Sequence, residues 1–179
     1  MSQLRKAMVE QLKRVYTTYY DVTPVEDGSA LKALCAYHLR DSQYVLVKKA
    51  ELWAAESHEY LYLWSLDTLD DAALHEIFAH VLEDGEGRVR PHLQHMYTYL
   101  TAVVLYDSAQ PETLAQLKKL KKRREYKLSL HGWMEFRIAA VDVSTGEMTV
   151  NRSGKRMEKD LKRLMDRIIS KHKGEEKTQ

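Results

Sequence analysis

The sequence predicts an α+β fold: a mainly antiparallel or mixed sheet of about six strands with helices packed on it. Three observations lead there. Runs such as Leu31, Ala33, Cys35, Tyr37 and Leu39 alternate with period two, the mark of a strand with one buried face. Runs such as Leu4, Met8, Leu12, Val15 and Tyr19 recur every three or four residues, the mark of a helix with one apolar stripe. The two kinds of run interleave along 179 residues with no linker and no internal repeat, so one globular domain over residues 1–170 is expected.

The first helix covers residues 3–20. Asp21 to Ser29 ends it with turn chemistry, punctuated by Pro24 and Gly28. A three-strand antiparallel meander follows. Its strands run from Ala30 to Arg40, where composition would also allow helix, from Tyr44 to about Ala54 and from about Glu59 to Ser65, with turns at Asp41-Ser42 and Glu56-Ser57-His58. Thr68 opens a capping box in which Asp71 stands where Glu is usual. The helix behind it carries Leu74, Ile77, Phe78, Val81 and Leu82 until Gly85 and Gly87 stop it.

Arg88 to Gln94 reads as a loop or a short helical turn, and Met96 to Asp107 as a buried strand. Pro111 starts a short helix that ends in the basic run Lys118 to Arg124. Tyr126, Leu128 and Leu130 begin another strand. Gly132 marks a bulge or a close approach, and Trp133 to Val143 continues extended. A hairpin loop at 142–147 returns through Met148 to Asn151. Asn151 or Ser153 then caps a last helix striped by Met157, Leu161, Leu164 and Ile168. Residues 171–179 lack apolar side chains and are expected to be a disordered tail.

Composition narrows the function classes. The net charge of +2 hides an asymmetry: residues 1–117 carry 10 Lys+Arg against 17 Asp+Glu, whereas residues 118–179 carry 18 against 9. The split is read either as two halves that attract each other or as a polyanion-binding face on the second half. Eleven tyrosines against two phenylalanines suit half-exposed strands, as packed sheet surface or as a stacking platform for bases. Cys35 is the single cysteine and admits no internal disulfide, which points to a reducing compartment. The opening residues lack the apolar core of a signal peptide and no run reaches membrane-spanning length, so a cytoplasmic protein without membrane contact is expected.

No complete catalytic motif assembles. His92 and His95 form an H-x-x-H, the strongest metal-like spacing, but a zinc site needs further ligands. His131, Glu135 and Asp142 are the residues that would supply chemistry if the fold joins them. Ser153-Gly154-Lys155 resembles the end of a phosphate-binding loop, yet Thr149 stands where such a loop needs glycine. Lys118, Lys121, Lys122, Arg123 and Arg124, with the basic last helix, form the candidate polyanion surface.

Three segments carry a resemblance: Lys48-Lys49-Ala-Glu-Leu-Trp53, His95-Met-Tyr-Thr-Tyr99, and His131-Gly-Trp133 with Ala139 to Glu147. In these the chain resembles a bacterial protein family of unknown function over about residues 3–165, a likeness that transfers no activity. The order helix, meander, helix, strand also resembles the core of restriction-endonuclease-like proteins. That likeness implies an acidic residue on the second strand and Glu/Asp-x-Lys on the third. Here the third strand reads Glu59-Tyr60-Leu61, and the lysine is missing.

The reading is therefore a non-enzymatic cytoplasmic binding or interaction domain, without a cofactor. Its partner would be itself, as a homodimer, or another protein, met through the tyrosine- and tryptophan-bearing strand faces. Two alternatives stand beside it. One is a divergent metal-dependent nuclease or phosphodiesterase, which would need a divalent metal. The other is a nucleic-acid-binding module that uses the basic C-terminal half.

Overall fold

The computed structural model describes residues 2–45 and 50–176, and side chains over 2–41 and 55–171. Among the described residues, four helices pack on one seven-stranded mixed sheet. The elements in chain order are α1 (Gln3–Tyr16), β1 (Asp21–Pro24), β2 (Leu31–Val45), β3 (Ala50–Leu69), α2 (Asp71–Arg88), β4 (His95–Ala109), α3 (Pro111–Lys119), β5 (Arg123–Glu125), β6 (Trp133–Asp142), β7 (Met148–Val150) and α4 (Lys155–Glu176). The α+β expectation holds, and the sheet is of the mixed kind. The order is β1-β2-β3-β4-β6-β5, with β7 also paired to β6. β1, β2 and β3 form an antiparallel meander; β4 lies parallel to β3, and β6 parallel to β4.

The meander differs from its expected boundaries. Asp21–Pro24, expected to be a turn, is the edge strand β1, where Pro24 costs the ladder little. The expected turns at 41–42 and 56–58 lie inside a continuous ladder that pairs Asp41 with Ala55 and Arg40 with Glu56. β4 begins its pairing with β3 only at Glu56. The β2–β3 ribbon thus outruns its neighbour, and polar residues such as Arg40 and Asp41 are tolerated there because they reach solvent. Lys48 and Lys49 of the first resemblance segment lie outside the described residues.

Each helix boundary has a local cause. Asp70, rather than Thr68, caps α2: its carboxylate accepts the Ala73 amide at 2.8 Å. Asp71 turns instead to α3, accepting from Thr113 Oγ1 and from Gln116 Nε2 at 2.8 Å. Gly85 and Gly87 do not stop α2. Gly85 is buried where the helix crosses β4, and a Cβ there would lie 2.7 Å from the Leu100 methyls. The basic run is also divided. α3 ends at Lys119, and Arg123-Arg124-Glu125 pair with β6 as β5. α4 continues through residues 171–176. No described helix is long and apolar enough to cross a membrane.

The strand expected at 126–130 is a loop. Lys127, Leu128 and Ser129 all have positive φ, at 47°, 53° and 67°, and Leu128 and Leu130 point to solvent. Among the described residues, no strand pairs with this segment to bury alternate leucines. Gly132 is a close-approach point, as expected: at φ +73° it sits against the His95 and Met96 carbonyls, 2.4 Å from where a Cβ would be.

Helices cover both faces of the sheet. α2 and α3 pack Leu74, Ile77, Val81 and Leu117 against Trp64, Leu100, Val104 and Phe136. α1 and α4 pack Met8, Leu12, Leu161 and Met165 against Ala33, Leu63, Val103 and Ala139.

Candidate functional site

The face under α1 and α4 is covered over only part of its length. Strand pairing arranges it in rows. Ala33, Leu63, Val103, Ala139 and Val150 make an apolar row inside the core. The next row, Cys35, Leu61, Thr101 and Arg137, passes beneath the helix ends. Beyond it lie Tyr37, Glu59, Tyr99, Glu135 and Arg123, and then Leu39, Ser57, Tyr97, Trp133 and Glu125. The last two rows are mostly polar and aromatic, and none of their residues belongs to the core packed under α1 and α4.

The aromatic residues of these rows touch one another. Tyr97 stacks on Trp133 at 5.4 Å between ring centres and lies 4.7 Å from Tyr99. The guanidinium of Arg123 sits 4.1 Å from the Trp133 ring centre, and that of Arg137 covers the face of Tyr99. A groove of about 370 Å³ opens between Arg123, Trp133, Glu135, Arg137, Arg152, Ser153 and Arg156. It continues along the α3–β5 connection past Lys118, Lys119 and Lys121. Lys118, Lys119, Lys121, Arg152, Lys155 and Arg156 are exposed and form no ion pair with any described residue.

The expected polyanion set splits across the sheet edge. Lys118, Lys121, Lys122 and Arg123 border the groove. Lys122 and Arg124 reach Glu86 of α2, at 3.6 and 3.2 Å. One carboxylate faces two cations, so their positive charge is offset only in part.

His131, Glu135 and Asp142 do not converge. Glu135 lies on the open face and accepts from Ser153 Oγ at 2.8 Å. Asp142 is seven residues further along β6, about 23 Å at a strand's rise, and of opposite parity. Its carboxylate instead shapes the β6–β7 loop, accepting from the Ser144 amide and hydroxyl and from the Thr145 amide. His131 lies in the loop before β6, and its carbonyl accepts from His95 Nδ1 at 2.7 Å.

His92 and His95 lie 6.2 Å apart between ring centres, on the face away from the groove. His95 is buried with both ring nitrogens engaged: Nδ1–H donates to the His131 carbonyl, and Nε2 meets Thr98 Oγ1 at 2.9 Å. Burial holds its pKa below the ordinary value, against the His131 carbonyl, which raises it. His92 contacts Glu56 at 3.1 Å, and Glu56 also receives Arg40 at 2.8 Å. His38 and His58 join this cluster through their Nδ1 atoms at 2.8 Å. Among the described residues, no group of three or more His, Cys, Asp or Glu side chains is arranged to hold a metal.

Glu59, the first residue of the Glu59-Tyr60-Leu61 triplet, accepts from Thr101 Oγ1 at 2.6 Å and from Tyr20 at 2.8 Å. Cys35 beside it is a packed thiol, its pKa pushed up to about 12 by burial and by the Glu59 charge. Gly154 is glycine because β6 passes close: a Cβ would lie 2.8 Å from the Ile138 carbonyl. Asn151 organises that approach, accepting the Ile138 and Gly154 amides and donating to the Leu120 carbonyl. Ser153-Gly154-Lys155 is thus a helix entry held by Asn151.

Residues 5–163 match the sequence profile of a domain of unknown function, DUF8052. The chain belongs to that family. No curated protein and no solved structure matches it. Within this DUF8052 domain the groove is lined by residues outside the sequence-derived candidates, chiefly Arg137, Arg152 and Arg156. One signal was available: Arg137 interrupts the otherwise apolar run Phe136-Arg137-Ile138-Ala139-Ala140-Val141, and a charge inside a buried strand asks for a partner.

Proposed function

We propose that this domain is a non-enzymatic binding module that lays a single-stranded nucleic acid across the open half of its sheet. One observation carries the reading: the aromatic tier of Tyr97, Tyr99 and Trp133 adjoins a groove whose cations Arg152, Arg156, Lys118 and Lys121 form no ion pair with any described residue. Bases stack on aromatic rings whatever their sequence, and free lysines and arginines pair with phosphates. A single strand can offer both groups to one sheet surface, as a duplex cannot, because its bases are already stacked. A cytoplasmic setting fits the buried, reduced Cys35.

Fluorescence anisotropy with a labelled twelve-nucleotide single strand tests this. Binding is expected to weaken steeply as salt rises, and to fall about tenfold in Arg152→Ala/Arg156→Ala and in Trp133→Ala. Affinity indifferent to salt and to these changes would sink the proposal. Cleavage of the strand in magnesium, lost in Glu135→Gln, would overturn its non-enzymatic part in favour of a nuclease.

A further inference from the structure

Two arginines on the α1/α4 side of the sheet are more than nine-tenths buried, and the fold treats them in opposite ways. Arg5, 2% exposed, donates to Ser65 Oγ, Asp67 and Asp107. Arg137, 8% exposed, forms no hydrogen bond and no ion pair with any described residue, and its Nε is buried without an acceptor. A guanidinium has five N–H donors, and removing it from water without a counter-charge is costly. The ring face of Tyr99 replaces only part of what is lost.

The charges of Glu59 and Glu135 are felt at Arg137, but neither carboxylate forms a hydrogen bond or ion pair with it. Glu59 is tied to Thr101 and Tyr20, and Glu135 to Ser153.

Arg137 is also the wall between two hollows. On one side is the groove with Arg123, Arg152 and Arg156. On the other is a hollow of about 220 Å³ under the ends of α1 and α4, where the lining turns apolar and acidic with Leu61, Leu161, Glu59 and Asp160. The sign of the lining changes at Arg137, which is the last cation on the path. A phosphate chain that follows the cations cannot continue past it.

We infer that Arg137 seats the terminal phosphate monoester of a bound strand, so that the domain reads a strand end. A terminal monoester carries about −1.5 to −2 charges and three free oxygens, against one charge on an internal diester. The guanidinium fork matches such a group in a two-bond contact. This inference rests on the nucleic-acid reading of the groove.

The test compares three strands of one twelve-nucleotide sequence: 5′-phosphorylated, 3′-phosphorylated, and hydroxyl at both ends. Each is titrated against the full chain and against Arg137→Gln. One phosphorylated end is expected to bind at least tenfold tighter than the unphosphorylated strand, and which end it is gives the polarity. Arg137→Gln is expected to bind all three alike, at the unphosphorylated level, with salt dependence intact. Equal binding of the three strands by the unaltered chain overturns the end-recognition inference and leaves the groove reading standing. Absence of salt-dependent binding for all three overturns both. Melting of Arg137→Met without nucleic acid guards against a folding artefact. Its midpoint is expected to hold or rise, because no hydrogen bond or ion pair is lost and a methionine can still pack on Tyr99; a large fall would make Arg137 a structural residue and overturn the inference.

Discussion

Ser153 donates its hydroxyl to Glu135 Oε1 at 2.8 Å, tying the approach to α4 to the first fully open row of the sheet. The contact places a carboxylate inside a groove otherwise bordered by arginine and lysine. If the groove binds phosphates, that carboxylate opposes them. Glu135→Gln keeps an acceptor for Ser153 and removes the charge. Binding of a single strand at fixed salt is expected to tighten about threefold or more, since a nearby like charge is worth around 1 kcal/mol at a partly exposed site. Weaker binding in this variant would contradict the assignment of Glu135 as a bystander.

The basic run should divide functionally as it divides structurally. Lys122 and Arg124 are paired with Glu86, whereas Arg152 and Arg156 form no ion pair with any described residue. Lys122→Ala/Arg124→Ala is expected to leave affinity within about twofold. Arg152→Ala/Arg156→Ala is expected to reduce it about tenfold and to lower the slope of log K against log salt by about two. The same anisotropy titrations read both, and the reverse ranking would move the binding surface to the α2 side.

Stability should fall in mild acid because of the histidine cluster. Burial lowers the pKa of His95, and burial followed by the neighbouring His38 and His95 lowers that of His58. In the unfolded chain both return to about 6.5. Below that pH the unfolded state takes up protons that the folded state refuses. This contribution to stability is therefore complete above pH 6.5 and is lost as pH falls through the lower folded values. Melting midpoints between pH 7.5 and 5 are expected to decline. His95→Asn is expected to start lower and decline less, and an equally steep fall in that variant would place the titration elsewhere.

Three glycines offer a graded backbone test. At Gly132 a Cβ meets two carbonyl oxygens of β4 at 2.4 Å under a positive φ, so Gly132→Ala is expected to cost about 3 kcal/mol or more. At Gly85 the Cβ meets the Leu100 methyls, which can shift only by disturbing the core, so Gly85→Ala is expected to cost about 1–2 kcal/mol despite better helix propensity. At Gly87 nothing lies within 4 Å, and Gly87→Ala is expected to stabilise by about 0.5–1 kcal/mol. Chemical denaturation of the three variants checks the order.

The glycines also show why some boundaries were misread in one dimension. Gly85 looks like a helix stop because glycine is a poor helix former, but its reason is Leu100, fifteen residues away on another element. Leu128 and Leu130 alternate as a strand would, yet a strand needs a neighbour, and none of the described strands pairs with this segment. The turns expected at 41–42 and 56–58 were drawn from polar residues, which a ribbon reaching past its sheet can hold in extended form. His92 and His95 share a helix-like spacing in sequence, but His95 begins a strand and commits both nitrogens locally.

By itself the sequence determined the α+β class, the helix stripes and the alternation of the sheet, because these depend on which residues recur at 2 or 3.6 positions along one chain. It also determined that Arg137 shares a face of β6 with Ala139 and Val141. Only the tertiary structure decided how far α1 and α4 cover that face. Coverage depends on where helices from distant parts of the chain end, and so it is the packing that leaves Tyr97, Tyr99 and Trp133 half-open while burying Arg137 with no hydrogen bond to any described residue.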